Sequence, residues 1–141
     1  MSIRHPVVAI TGSSGAGTTT VTRTFEHIFR REGFRAAIVE GDSFHRYNRV
    51  EMRERVRQAD SGEGPQISHF GPESNLLAEL DRSFAEYGET GRGKVRRYIH
   101  DASEAKELGG EPGTFTDWLP MMDTSDLLFY EGLHGAYLDD T

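Results

Sequence analysis

The sequence contains no cysteine, which excludes disulfides and thiolate metal sites. No apolar run approaches the roughly 18 residues that a membrane-spanning helix needs. The first residues, Met1-Ser2-Ile3-Arg4-His5-Pro6, lack the apolar core of a signal peptide. The resulting expectation is a soluble, cytoplasmic protein with no membrane partner. Positive charge is in the minority: 16 Lys and Arg stand against 23 Asp and Glu, for a net charge of −7. A protein that grips a nucleic-acid backbone needs a basic face, so no nucleic-acid partner is expected. The basic residues still cluster locally, at Arg46, Arg49, Arg53, Arg55 and Arg57 and again at Arg92, Lys94, Arg96 and Arg97. A small anionic ligand explains such clusters better than DNA or RNA does. With 35% hydrophobic residues, the 141 residues suffice for one compact domain with one core. There is no internal repeat and no low-complexity tract.

What is present is organised around one stretch. Val7-Val8-Ala9-Ile10-Thr11 is an apolar run that stops at Gly12-Ser13-Ser14-Gly15-Ala16-Gly17-Thr18-Thr19-Thr20. Strand, glycine-rich loop and helix in that order are the context of a phosphate-binding loop. Gly12 and Gly17 hold the two glycine positions of G-x-x-x-x-G-K-[ST], and Thr19 holds the final hydroxyl position. Thr18 stands where the lysine belongs. The loop can offer backbone N–H groups and a helix N-terminus to an anion, but not the usual point charge. Thr19 is placed to ligate Mg²⁺ or to cap the helix, and the two roles are compatible.

The periodicity predicts a helix over 18–32, with Val21, Phe25, Ile28 and Phe29 on one face and Gly33 as its stop. Ala36-Ala37-Ile38-Val39 reads as a second strand, most simply placed beside the first. The resulting βαβ unit has a right-handed crossover. A charged helix over 49–59 and an amphipathic helix over 73–87 follow. An exposed strand over 95–100 is expected to pair with 114–118 as a hairpin, with a short helix over 102–108. Leu127-Leu128-Phe129-Tyr130 is a last apolar strand, ending at Glu131.

Three constellations carry chemistry. Glu131, at the end of an apolar strand that follows a phosphate loop, has the form of a Walker B carboxylate that orients Mg²⁺; the bland reading is a chance acid at a strand end. Asp42 follows the second strand at the same sheet edge, where ligands of open α/β sheets bind. It can accept a proton from an attacking hydroxyl, or it is a solvated loop residue or helix cap. His45, Arg46, Arg49 and Arg53 lie just beyond. Arg49 and Arg53 are four apart and share a helical face, which suits a phosphate monoester. For Arg53, Arg55 and Arg57 a solvated face is the stronger reading. Tyr98 and His100 alternate onto one side of their strand; a lone histidine is more often structural than functional.

The residues Gly-Ser-Ser-Gly-Ala-Gly-Thr-Thr-Thr at 12–20, Glu-Gly-Asp-Ser-Phe-His-Arg at 40–46, Ser-His-Phe at 68–70, Glu-Tyr-Gly-Glu-Thr-Gly at 86–91, Tyr-Ile-His-Asp at 98–101, Pro-Gly-Thr-Phe-Thr-Asp-Trp at 112–118 and Phe-Tyr-Glu-Gly-Leu-His-Gly at 129–135 together resemble bacterial-type phosphoribulokinases, from end to end of the chain. The resemblance implies an α/β fold, a P-loop nucleotide kinase-like three-layer α/β/α with a mainly parallel sheet. It also implies ATP- and Mg²⁺-dependent phosphorylation of ribulose 5-phosphate to ribulose 1,5-bisphosphate in the Calvin cycle. Carried over by position, Gly12, Ser13, Ser14, Gly15, Ala16, Gly17, Thr18, Thr19 and Thr20 would hold the nucleotide. Asp42 would be the catalytic base and Glu131 the Mg²⁺-linked acid, with Thr19 and Asp42 also near the metal. His45, Arg49, Arg53, Tyr98 and His100 would bind the sugar phosphate, Arg53 where the family has lysine. Arg31 would lie at a region of allosteric control and subunit contacts, in a family that is oligomeric and responds to NADH and AMP. The absent lysine at Thr18 is a family mark.

Family members are roughly twice as long. Residues 1–141 are therefore expected to be the N-terminal portion of the kinase domain, from the Walker A loop through the Walker B strand, with the C-terminal part missing and little or no kinase activity alone. Competing readings are a non-catalytic P-loop nucleotide-binding or regulatory module, and a kinase of another acceptor such as a nucleoside.

Overall fold

A computed structural model describes residues 4–12, 18–121 and 124–134, without the side chains of Thr18 and Thr19. The strand β1 (Val7–Thr11), the helix α1 (Thr18–Glu32) and the strand β2 (Ala36–Glu40) form the βαβ unit at the expected places. A 3₁₀ turn over Gly41–Phe44 leads to α2 (Arg49–Asp60), then a second turn over Pro72–Ser74, α3 (Leu77–Thr90), β3 (Lys94–Val95), α4 (Ala102–Leu108), β4 (Leu119–Pro120) and β5 (Leu127–Gly132).

The main sheet is parallel, in the order β1-β5-β2. The last strand inserts between the first two, which corrects the expectation that β2 lies beside β1. The burial pattern gives the reason. Leu127, Leu128, Phe129 and Tyr130 are all buried, whereas β1 and β2 are only partly covered. A strand apolar on both faces is best satisfied at the centre of the sheet.

Alternation along β5 sends its side chains into two layers. Phe129 meets Phe25 and Phe29 of α1, with ring centroids 5.4 and 5.5 Å away. Leu128 and Tyr130 join Val39, Phe44, Leu80 and Tyr87 on the other face, where Phe84 of α3 stands edge-on to Tyr130 at 5.4 Å. Helix, sheet and helix make three layers, as expected. The stripe on α1 is only half used: Val21 and Ile28 stay exposed.

The differences in detail have local causes. The helix expected from residue 73 starts at Leu77, because Asn75 is extended and its side-chain amide donates to the carbonyls of His69 and Gly71. Leu76 still reaches the core. The expected strand over 95–100 is regular only at Lys94–Val95, which pairs with Leu119–Pro120. Beyond it the pairing continues irregularly, through a bridge between Tyr98 and Phe115 and a bond from the Arg97 N–H to Thr116 Oγ1. There a side chain takes a place that a carbonyl would hold in a regular ladder.

Candidate active site

The carboxyl ends of the three strands converge. In the pairing register Ile10 and Glu40 both face Glu131, so the end of β1, the acid that ends β2 and the acid of β5 stand side by side. Two glycines make this approach possible. A Cβ on Gly41 would lie 2.7 Å from Tyr130 Oη and 2.9 Å from Gly132 Cα. Burial pushes the Tyr130 hydroxyl up to about 12, so it is neutral beside the acids. Burial also raises Glu40, against the pull of Arg97 and His100.

Asp42 sits on the turn after β2. Its Oδ2 accepts from His100 Nε2 at 2.8 Å, and its Oδ1 lies 3.5 Å from His45 Nε2. The two histidines have opposite tendencies. Burial lowers the pKa of His45, and the nearby Asp42 only partly offsets this. Burial also lowers His100, but its bonds to Asp42 and Glu104 outweigh burial and the net shift is upward. The other ring nitrogen, Nδ1, lies 3.0 Å from Glu104 Oε2.

Next to this group is a cavity of about 400 Å³ lined by His45, Arg49, Arg53, His69, Ser74 and Tyr98, among others. The structure thus brings four of the five expected sugar-phosphate residues to one hollow; His100 turns its ring to Asp42 instead. Arg49 is held by its backbone N–H donating to the Gly113 carbonyl at 2.9 Å and by its Nη2 donating to the His100 carbonyl at 2.8 Å. The asparagine before it caps α2: Asn48 Oδ1 accepts from the Glu51 N–H, and Glu51 returns the bond to the Asn48 N–H. That reciprocal cap fixes where α2 starts, and hence where Arg49 and Arg53 point.

Two residues with a structural part in this site stood out less in the sequence. Arg96 donates from Nε to the Ser43 carbonyl at 2.7 Å and from Nη2 to the His45 carbonyl at 2.6 Å. Its guanidinium lies 3.8 Å from the ring centre of Phe115 and 4.8 Å from that of Trp118. It clamps the turn that carries Asp42 and His45. In the sequence it is one more arginine in a basic cluster, and no local spacing sets it apart. Glu104 had a local signal, the Asp101-x-x-Glu104 capping pattern, but that pattern predicts only a helix start.

The other expected site residues lie elsewhere. Arg31 is 76% exposed at the end of α1, where its Nε donates to Glu32 at 3.3 Å. Ser13, Ser14, Gly15, Ala16 and Gly17 lie outside the described residues, as do the side chains of Thr18 and Thr19. Gly12 follows β1 directly, and Thr20 is in the first turn of α1. Among the described residues no three His, Asp or Glu side chains group closely enough to hold a metal ion by themselves. The donors at this edge are hard carboxylate oxygens, of the kind Mg²⁺ takes together with phosphate oxygens and water.

A three-layer fold on a parallel sheet, with a strand–loop–helix opening and acids at the carboxyl edge, defines the class: a P-loop kinase-like α/β protein. Its structure superposes on phosphoribulokinase from Rhodobacter spheroides with a TM-score of 0.83, at 47% identity over 97% of this chain and 46% of that one. A putative fructose transport system kinase from Silicibacter shares the fold at a TM-score of 0.64 and 16% identity, covering 94% of this chain and 56% of that one. Over residues 7–140 the chain matches the Phosphoribulokinase / Uridine kinase family, and it belongs to that family. It is 60% identical to a phosphoribulokinase of Nitrobacter vulgaris, over 97% of this chain and 47% of the relative. It is 56% identical to the chromosomal phosphoribulokinase of Cupriavidus necator, over 100% of this chain and 48% of the relative. The chain thus spans about half the length of the curated relatives it matches.

Proposed function

We propose that this chain supplies the acceptor site and the catalytic base of a kinase that transfers the γ-phosphate of ATP to ribulose 5-phosphate. The observation that carries the reading is Asp42, bonded to His100 through one oxygen while the other faces His45 beside a cavity lined by Arg49, Arg53 and Tyr98. The sugar phosphate is held by its phosphate on Arg49 and Arg53, forked donors suited to a phosphate dianion. Its hydroxyl then approaches Asp42. As the hydroxyl oxygen bonds to the γ-phosphorus, its proton passes to Oδ1 of Asp42, the oxygen that His100 does not hold. The bond from that phosphorus to the bridging oxygen breaks, and ADP leaves with the electron pair. The backbone of residues 12–20 cradles the ATP phosphates. Thr19 and Glu131 would supply oxygen donors for Mg²⁺, with Asp42 close by, and the bound ion would neutralise charge on those phosphates.

The names of the curated relatives support this acceptor and a Calvin-cycle setting. An exposed Arg31 is compatible with subunit contact or effector control, and NADH and AMP are the effectors to try. A cytoplasmic homo-oligomer is the corresponding whole-protein form.

The test is a coupled assay of ADP release with ATP and Mg²⁺, comparing ribulose 5-phosphate with uridine. The chain is assayed alone and joined to the C-terminal half of the Nitrobacter vulgaris relative. Turnover is expected with ribulose 5-phosphate in the joined form and little or none in the chain alone. Asp42→Asn is expected to lower the rate of the joined form by about 10²–10⁴-fold, the usual contribution of a general base, while ATP still binds. A preference for uridine, or a rate indifferent to Asp42→Asn, would refute the assignment.

A further inference from the structure

We infer that Glu104 is a positioning residue for the catalytic base: it orients the His100 ring so that Nε2–H is delivered to Asp42. This deepens the kinase reading above and rests on it.

Two helices in this protein begin with the same pattern. At α2, Asn48-x-x-Glu51 forms the full reciprocal cap, and the Glu51 carboxylate accepts from the N–H of the capping residue itself. At α4, Asp101 accepts from the Glu104 N–H at 2.9 Å, which is half of the same cap. Glu104 does not return the bond to Asp101. It reaches one residue further back, and its Oε2 accepts both from the His100 backbone N–H at 2.9 Å and from the ring Nδ1–H at 3.0 Å. A capping role needs neither the ring contact nor the extra reach. One carboxylate oxygen bonded to both the main chain and the ring of the same histidine sets both the start of the side chain and its rotation.

The far side of the ring meets Asp42 Oδ2 at 2.8 Å, across 58 residues of sequence. Each ring nitrogen therefore meets a carboxylate oxygen, Nδ1 that of Glu104 and Nε2 that of Asp42, and the two contacts on opposite sides fix the plane of the ring. Tyr98 closes one side of it, edge-on at 4.9 Å. Arg49 Nη2 holds the His100 carbonyl. With Oδ2 held at 2.8 Å, Oδ1, whose contact to His45 Nε2 is the longer one at 3.5 Å, is the oxygen of Asp42 better placed to take the acceptor's proton. Glu104 is not among the residues lining the cavity and its side-chain bonds run to His100, so it acts through His100, as an outer partner fixes a ligating or catalytic imidazole.

The experiment reads the ring directly in the 141-residue chain, with ¹⁵N-labelled histidine. In the wild type the His100 Nε2–H proton should appear as a downfield signal slowed in its exchange with water. Glu104→Ala and Glu104→Asp, which is too short to reach the ring, should both lose that signal while the backbone spectrum away from α4 is kept. Glu104→Gln, whose amide oxygen can still accept, should keep it. Where Glu104→Ala fails to fold, Glu104→Asp carries the test. Survival of the signal in Glu104→Asp, or its loss in Glu104→Gln, overturns the proposal. In the joined form, Glu104→Asp should lower kcat roughly tenfold, the low end for losing an orienting partner, with KM for ATP unchanged. An unchanged kcat despite the lost signal also overturns a positioning role. The spectrum does not depend on which acceptor is phosphorylated, so a failed ribulose 5-phosphate assay and a failed Glu104 assignment are told apart.

Discussion

Two regions of this molecule are held together by different forces. The sheet β1-β5-β2 with α1 and α3 is held by apolar burial: Phe129 and Tyr87 are 0% exposed and Tyr130 1%. The excursion between β2 and β5, which brings in α2, α4 and the small β3–β4 pair, buries scattered apolar residues, Phe44, Met52, Ala59 and Ile99, and leaves much of its helices in solvent. Val50 of α2 is 72% exposed, and α4 buries no residue fully. This region is fastened by polar side chains on backbone groups: Arg96 on two carbonyls, Arg49 on the His100 carbonyl, Asn48 and Asp101 as helix caps, and Glu104 on the His100 N–H. Directional bonds specify positions more narrowly than apolar contact does. The sheet supplies the acids at its edge, and the excursion supplies the orientation of what faces them.

That contrast can be broken or sharpened by substitution. The largest stability effect belongs to the sheet. Phe129→Ala removes the ring on which Phe25 and Phe29 pack, and about 3–5 kcal/mol should be lost, read by urea unfolding. If the loss is under 1 kcal/mol, α1 is not anchored as described. Next comes the arginine clamp. Arg96→Lys keeps the charge but cannot fork to two carbonyls, and should cost about 2 kcal/mol. Its sharper signature is functional: in the joined form KM for the sugar phosphate should rise several-fold while α1 and the sheet keep their amide protection. An Arg96→Lys protein that loses protection in the sheet before its substrate affinity would contradict the division.

A smaller effect tests the polar contacts of the core. Tyr87 is buried and its hydroxyl pairs with Ser125 Oγ at 2.7 Å. Burial raises its pKa, with the Ser125 bond opposing. Because the folded value lies above the unfolded one, the stability it contributes is whole below about pH 10 and is lost as pH rises through the folded value. Tyr87→Phe should cost about 1 kcal/mol at neutral pH and flatten part of the alkaline loss of stability. Tyr130, with its hydroxyl at about 12, adds a further loss at higher pH. An alkaline unfolding profile identical to wild type would contradict this. Least affected is the solvent face of α2: Val50→Ser should change stability by no more than about 0.5 kcal/mol.

Much of the sheet region is legible in the sequence, and the reason is periodicity. Val7–Thr11 and Thr18–Glu32 form where the pattern places them, and so does α4 at Ala102–Leu108. Each is decided by near neighbours: a short apolar run, a glycine stop, an aspartate cap. The strand order is not legible, because a central place depends on what covers both faces of β5. The candidate site is legible in which residues gather and not in how they connect. Asp42, Glu131, Arg49 and Tyr98 stand out by position and motif. That His100 turns to Asp42, and that Arg96 lies between Phe115 and Trp118, stand out from nothing local. Those partners are 58, 19 and 22 residues apart.

The sequence by itself determined the opening βαβ unit, the acids at the ends of two strands and membership of a kinase family, because these are written in short-range pattern and residue identity. Only the tertiary structure decided which strand lies in the centre, which oxygen of Asp42 His100 holds, and that a capping glutamate serves a histidine instead of its own helix. Those outcomes depend on donors and acceptors meeting across the fold, within distances of about 3 Å that spacing along the chain cannot express.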